Sequence, residues 1–485
     1  MMYELLARTA SSFTDRPAVS EGGRALAYSG LLNVVDALSR HLGDLGLGPG
    51  QTVAVQMPNS IECIAALLAL SRLGAVILPL DSSLKHEEVE RYCRRAEAGA
   101  LLRGSGEPGR TPEGGLRVFP LPPAEALSQW AHSAARQPET SSPAPHRGDQ
   151  NLVLLLSSGT TGIPKIVPKS VAQGEAELRL LGPALRYSTE DRVLAVLPFC
   201  HSFGLFNVML AAMAGGACLY VEPFAPRSAA ATIEAARITV LPATPFMFHI
   251  LSETNFRSRP DFSSVRLAVS AGSALSPAVA GRFQEKFGVA IAQSYGMTET
   301  GPVCLGRAGS VGRPYPGVMV EIWDPEGHPV ADGASGEIAV KSPANSFSYL
   351  GDPEADAATF QRGYVLTGDI GYRNEAGDLF IQGRRKPMLH VAGKKVSPAE
   401  VEACLRSHPR VADVLVVGVK TPDGVSDSIK ALVLPAGDVT MLELQEFCGK
   451  RLAAFKVPRE IVLVKNVSGG ALKKRPSVGP ETQEG

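Results

Sequence analysis

The chain has 485 residues, enough for about two to four domains that each bury a core. Lys+Arg and Asp+Glu both number 48, so no overall field marks it for a nucleic acid or a membrane surface. Its seven cysteines lie far apart with no CxxC, which argues against a disulfide framework or a zinc site and for buried thiols in a reducing compartment.

From the N-terminus, MMYELLARTASSF has no apolar run of signal-peptide length. VAV (53–55) and VILPL (76–80) predict strands. Between them Ile61, Ile64, Ala65 and Leu68 share one face of a helix, with Gly74 as its stop. The greasiest stretch, IAALLALSRLGAVILPL, carries Arg72 in its middle and reads as that helix plus the next strand, not a membrane span. The expectation is a cytoplasmic protein with no membrane partner.

Residues 102–149 are rich in Gly, Pro, Ser and Arg and predict an exposed connector. Strand-like runs then resume: LVLLL (152–156), VLAVLP (193–198), CLYVE (218–222), ITVLP (238–242) and LAVSAG (267–272). Strands apolar throughout and separated by helices are buried on both faces, which predicts an α/β fold with a largely parallel sheet. From about 310 the strands shorten, as in VMVEIWDPEGHPV, GEIAVKSP and DLFIQG. A small α+β segment follows Gly383, in which Ser397, Pro398 and Glu400 look like N-cap, N1 and N3 of a helix. These features predict domains over 1–385 and 386–485, with the boundary near Lys386.

Four stretches suggest chemistry. SSGTTGIPK (157–165) follows a strand; its small residues leave backbone N–H groups free to converge on an anion, and Lys165 adds positive charge. It is not a Walker A loop, because Pro164 stands where a glycine should and no Lys-Ser/Thr pair follows; a plain Ser/Thr/Gly turn is the other reading. QSYGMTET (293–300) offers an aromatic face at Tyr295 and a hydroxyl–carboxylate pair at Thr298 and Glu299, suited to a phosphate oxygen and Mg2+, or else a polar turn at a strand end. LTGDIGY (366–372) sets Asp369 between glycines, placed to accept from two ribose hydroxyls or simply to shape a turn. GRRKPMLHVAGKKVSP (383–398) is a basic, hairpin-like run.

In this order, and with PFCHSFG (198–204) and FKVPREIVLV (455–464), these stretches resemble the adenylate-forming superfamily of acyl-CoA synthetases, peptide-synthetase adenylation domains and firefly-type luciferases. The resemblance implies a large N-terminal domain of mostly parallel sheets flanked by helices, a small β-barrel-like part, and a small mobile α+β C-terminal domain. It implies that ATP and Mg2+ activate a carboxylic acid as an acyl-adenylate, which the thiol of CoA then attacks. Position by position, it puts Ser157, Ser158, Gly159, Thr160, Thr161, Gly162 and Lys165 on the β/γ-phosphates. Tyr295 stacks on adenine, with Gly272 and Ser273 on the other side and Gly296 beside it. Thr298 meets the α-phosphate, Glu299 the metal, and Asp369 with Arg384 the ribose. His201, Phe203, Gly272, Gly296 and Met297 border the acyl pocket, Lys386 sits at the hinge, and Gly393, Lys394 and Lys395 meet CoA. Peptide-type members usually place an Asp after the aromatic at Phe199; here Cys200 and His201 follow, which favours a plain carboxylic acid over an α-amino acid.

The family's last motif is Ser-Gly-Lys, an aliphatic residue, then basic residues, and its lysine joins substrate carboxylate and α-phosphate during adenylation. In NVSGGALKKR (466–475), Ser468 and Gly469 match and Gly470 takes the lysine's place. A one-residue slip puts Ala471 there, and an ungapped count from Val467 brings Lys474 to it. The resulting expectation is an enzyme specialised for passing an acyl group from acyl-AMP to CoA, the adenylate being supplied by a separate adenylating enzyme. A complete ligase using Lys473 or Lys474, and a non-catalytic adenylate-binding protein, are the alternatives.

Overall fold

The computed structural model describes residues 1–104, 115–122, 126–127, 129, 148–157, 164–307, 309–385 and 388–464. The chain divides into two compact units, the first running to Lys386 apart from 158–164, the second from Pro387 onward.

The first unit holds two large sheets whose strands are apolar on both faces, as the runs of Val, Ile and Leu require. In the six-stranded sheet the order is Arg117–Pro120, Ala100–Arg103, Thr52–Gln56, Val76–Leu80, Asn151–Ser157, Lys165–Ser170, parallel except for the last hairpin pair. In the nine-stranded sheet, Ile291–Met297, Leu267–Ser270, Val240–Ala243, Arg192–Ala195, Cys218–Val221 and Pro17–Glu21 run parallel in that order. One core draws on both sheets, joining Val53, Ile77 and Val153 to Val193, Leu219 and Val240. The helix Ile61–Arg72 lies within it, buried everywhere except Glu62 and Arg72, as expected of a helix apolar all round. Its Ser60 cap accepts from the Cys63 N–H at 3.0 Å, and Arg72 is neutralised by Asp36.

A third, five-stranded sheet is antiparallel throughout, built on Met319–Trp323, Gly336–Lys341, Tyr364–Arg373, Phe360–Gln361 and Leu379–Arg384. Register shifts near Glu337 and Ile370 curl it. In the second unit, Val411–Lys420, Asp427–Pro435 and Glu460–Leu463 form a sheet beside the hairpin Leu389–Val391/Lys394–Val396, with helices Pro398–Arg406 and Met441–Arg451. Among the described residues no helix is long and apolar enough to cross a membrane.

Three sequence expectations need correction. The stretch 102–149 is not wholly connector: Arg117–Pro120 adds an edge strand beside Ala100–Arg103, and Leu121 and Leu127 are buried. Four residues between Gly- and Pro-rich flanks carry too little periodicity to reveal a strand. The strand expected over 193–198 ends at Ala195, because the Asn59 amide takes over beyond it, donating to Leu197 O at 2.7 Å and accepting from Phe199 N at 2.9 Å. Ser397 and Pro398 do open a helix, but the Ser397 side chain makes no capping bond, and Glu400 instead meets Lys456 at 2.8 Å in the interior.

The starts of the parallel strands are tied together at Asp191, 3% exposed at its side chain. It accepts from Arg266 Nε and Nη2, both at 2.7 Å, from Thr239 Oγ1 at 2.7 Å and from Ser188 N at 2.8 Å. Burial pushes its carboxyl up, but the guanidinium and hydroxyl bonds outweigh that and hold it below the usual carboxylate range. A lowered native value stabilises the fold above the unfolded-state value and loses that contribution as pH falls towards the native one. Asp191→Asn is therefore expected to unfold at lower urea than the parent near neutral pH, with the gap narrowing below about pH 4; urea titrations across that range check it.

Candidate active site

Tyr295, the Gly272–Ser273 turn and the Cys200–His201 turn lie at or just beyond the C-terminal ends of parallel strands, where open α/β sheets place their ligands, while Asp369 and Arg384 come from the antiparallel curled sheet. Tyr295 and Gly296 lie on the strand Ile291–Met297, and the Gly272–Ser273 turn follows the adjacent strand Leu267–Ser270. Gly272 has φ +96°, and both it and Gly296 are exposed. A Cβ at Gly296 would stand 2.5 Å from Gly301 O, so the neighbouring strand itself demands glycine there.

Asp369 and Arg384 are cross-strand partners in the curled sheet. Arg384 Nε lies 2.9 Å from Asp369 Oδ1, and Tyr295 donates its hydroxyl to Asp369 Oδ2 at 2.9 Å. Burial, reinforced by the Asp369 charge, pushes the Tyr295 hydroxyl far above its usual range, so it remains a neutral donor. Thr367, between its bonds to Asp369 N at 3.1 Å and Ile338 O at 2.8 Å, fixes the turn that carries the carboxylate. Glu337 does the same from Gly368 N at 3.0 Å.

Glu299 is 4% exposed, and its Oε1 accepts from the Tyr349 hydroxyl at 3.0 Å. Burial first, and then the Glu299 charge, push the Tyr349 hydroxyl upward, which keeps it protonated. Lys165, itself buried, sets its ammonium 4.2 Å from the centre of the Tyr349 ring. Lys165 and Glu299 are thus brought together through an aromatic that the sequence reading missed; nothing in SYLGDPE (348–354) distinguishes Tyr349 from a core tyrosine. A single buried carboxylate with the half-buried Thr298 beside it is an all-oxygen set, which fits Mg2+, an ion that takes one or two carboxylates plus phosphate oxygens. Met297 is likewise half-buried.

Behind this group lies a second feature invisible in the sequence. Lys169 and Glu177 are fully buried, 3.2 Å apart. Lys169 donates to Ala344 O at 2.6 Å and Gln173 to Asn345 O at 2.6 Å, while Ser346 N donates to Glu299 O at 2.7 Å. The buried pair therefore anchors the loop that holds the Glu299 backbone.

His201 is exposed and Cys200 half-buried in the turn after Arg192–Ala195, and the half-buried Phe203 opens the helical segment Phe203–Leu210. The absence of an acid here holds along the chain but not in space, since the carboxylate of Asp81 lies within 4.8 Å of both the Cys200 thiol and the His201 ring. Of the phosphate-loop candidates, Ser157 pairs across the hairpin with Lys165, and Ser158, Gly159, Thr160, Thr161 and Gly162 lie outside the described residues, as do Lys386 and the whole of 466–475. In the second unit, Ala392 (φ +49°) and Gly393 (φ +80°) form a two-residue hairpin turn, which gives glycine a conformational reason to be there. Lys394 lies over the Phe455 ring at 4.5 Å, and Lys395 is exposed.

Residues 6–350 match the AMP-binding enzyme family and residues 400–469 the AMP-binding enzyme C-terminal domain. The chain is 31% identical over 496 residues to a probable CoA ligase of Humulus lupulus, covering 97% of this chain and 94% of that one. It is 29% identical over 501 residues to an oxalate–CoA ligase of Arabidopsis thaliana, covering 97% and 96%. It is similar to the solved structure of an o-succinylbenzoate CoA synthetase from Bacillus subtilis bound with a product analogue, with TM-score 0.86, 25% identity and 96% of each chain covered. The fold is that of an adenylate-forming enzyme. The chain belongs to the AMP-binding enzyme family.

Substitutions at Asp369 and Lys169 probe this site. Asp369→Ala removes a charged acceptor and is expected to weaken AMP binding about ten- to a hundredfold by calorimetry, with Asp369→Asn in between. Lys169→Met strands Glu177 in the interior and is expected to destabilise the first unit by about 3–5 kcal/mol in urea unfolding, with most of that recovered in Lys169→Met/Glu177→Leu.

Proposed function

We propose that this protein forms acyl-CoA thioesters through an acyl-adenylate and is specialised for the second half of that reaction. The observation that carries the nucleotide part is the Asp369 carboxylate in the curled sheet, fixed by Tyr295 and Arg384. It accepts from the ribose hydroxyls while Tyr295, Gly296 and the Gly272–Ser273 turn border the base. Thr298 meets the α-phosphate, and Lys165 with the loop from Ser157 meets the terminal phosphates when ATP is present. Mg2+, held by Glu299, would neutralise phosphate charge. His201, Phe203 and Met297 border the acyl group, and Gly393, Lys394 and Lys395 meet CoA.

In the second half, the CoA sulfur, having lost its proton, attacks the acyl carbon; the C–O bond to AMP breaks and AMP leaves with the electron pair. In the first half, a carboxylate oxygen must approach the α-phosphorus as pyrophosphate departs, bringing two anions together. On the alignment that matches Ser468 and Gly469 to the family's last motif, Gly470 stands where the lysine that eases this step would be. Loss of one preorganised charge typically slows such a step by about 10²–10³. Support for the thioester-forming half comes from the family membership and from the CoA ligases among its relatives.

The test compares two reactions on the same protein: a panel of carboxylic acids with ATP, Mg2+ and CoA, and the matching synthetic acyl-AMPs with CoA. The expected result is acyl-CoA formation from the adenylate at least about a hundredfold faster than from free acid. Equal rates, with pyrophosphate release abolished by Lys474→Ala or Lys473→Ala, would identify a complete ligase. Inertness towards every acyl-AMP would point to a binding protein.

A further inference from the structure

We infer that Asp81, Cys200 and His201 form a binding site for a divalent cation of the zinc class, with three protein ligands and a fourth position for water. A carboxylate oxygen of Asp81, Sγ of Cys200 and a ring nitrogen of His201 all lie within 4.8 Å of one another. Ligands at zinc distances in a tetrahedral shell stand about 3.3–3.8 Å apart, so the three side chains draw in towards one another to complete the set. Along the chain no cysteines pair at zinc spacing; in space the ligands come from loops that follow strands of two different sheets.

The supports around the three are built, not accidental. Asp81 ends the strand Val76–Leu80, and its Oδ1 is oriented by Ser83 N at 2.8 Å and Ser83 Oγ at 2.6 Å. Cys200 and His201 follow a segment clamped by Asn59, and His201 N donates to Pro198 O at 3.2 Å. A Cβ at Gly204 would stand 2.1 Å from that same Pro198 O, so the turn that presents the ligands is closed tightly from behind. Such orienting groups are the usual companions of metal ligands. Sulfur and imidazole favour zinc over magnesium, which separates this site chemically from the all-oxygen surroundings of Glu299. The site shares His201 with the proposed acyl pocket, so its test reads metal binding rather than activity.

The test uses the full chain, reduced and stripped with a chelator, titrated with Co2+ and then Zn2+. The expected result is one Co2+ per chain with a thiolate-to-cobalt charge-transfer band and the visible intensity of a four-coordinate ion, both lost in Cys200→Ser and displaced by Zn2+. Asp81→Asn is expected to weaken Zn2+ binding more than about a hundredfold, and Ser83→Ala, which only orients a ligand, about tenfold. Cys404→Ser is expected to keep the band. A second measurement on the unaltered protein guards against a variant that fails to fold: Zn2+ is expected to protect Cys200 from alkylation, read by peptide mass. Absence of the charge-transfer band, its survival in Cys200→Ser, or alkylation of Cys200 unaffected by Zn2+ would each overturn the site.

Discussion

The hydrogen bond from Tyr295 to Asp369 joins the nine-stranded sheet to the curled one, which also meet at a backbone bridge between Gly312 and Leu379. Tyr295 belongs to the nine-stranded sheet, Asp369 and Arg384 to the curled one. A second link, from Lys165 over Tyr349 to Glu299, brings in the six-stranded sheet. Each sheet thus contributes polar groups to one region, and the groups hold one another in place before any ligand arrives. That arrangement is what preorganisation means physically: the dipoles are already aimed, and little reorientation remains when charge develops.

The burial pattern extends the same logic inward. A charged pair with no exposure, such as Lys169 and Glu177, contributes little net stability compared with an apolar replacement. Its position explains its presence better than stability does, because Lys169 fixes the carbonyl of Ala344 two residues from the contact that holds Glu299. Lys456 and Glu400 repeat the motif inside the second unit, again with both groups buried. Both pairs fix loops or helix ends that no apolar contact would orient so specifically.

Much of the architecture was legible in the chain. VILPL (76–80) reads as a buried strand and is one, from Val76 to Leu80, because five consecutive apolar residues leave no solvent face. Tyr295, Asp369, Arg384 and Glu299 were named from short motifs, and Tyr295, Asp369 and Arg384 meet in space. What the sequence concealed depends on contacts between distant segments. Tyr349 lies fifty positions from Glu299, Asn59 ends a strand begun at Arg192, and Asp81 meets Cys200 from another sheet. Local composition also misled at Arg117–Pro120, where proline- and glycine-rich flanks hid an edge strand.

The pairing of Val19 with Leu219 also has a consequence for how the molecule comes into being. The strand nearest the start of the chain has no parallel neighbour until a segment two hundred positions later has been synthesised. At translation rates of about 5–20 residues per second, that interval lasts on the order of 10–40 s. Throughout it Pro17–Glu21 has one edge paired with Arg24–Ala27 and the other bare, so that open edge is covered only by the chain's own early helices or by a chaperone until the partner emerges.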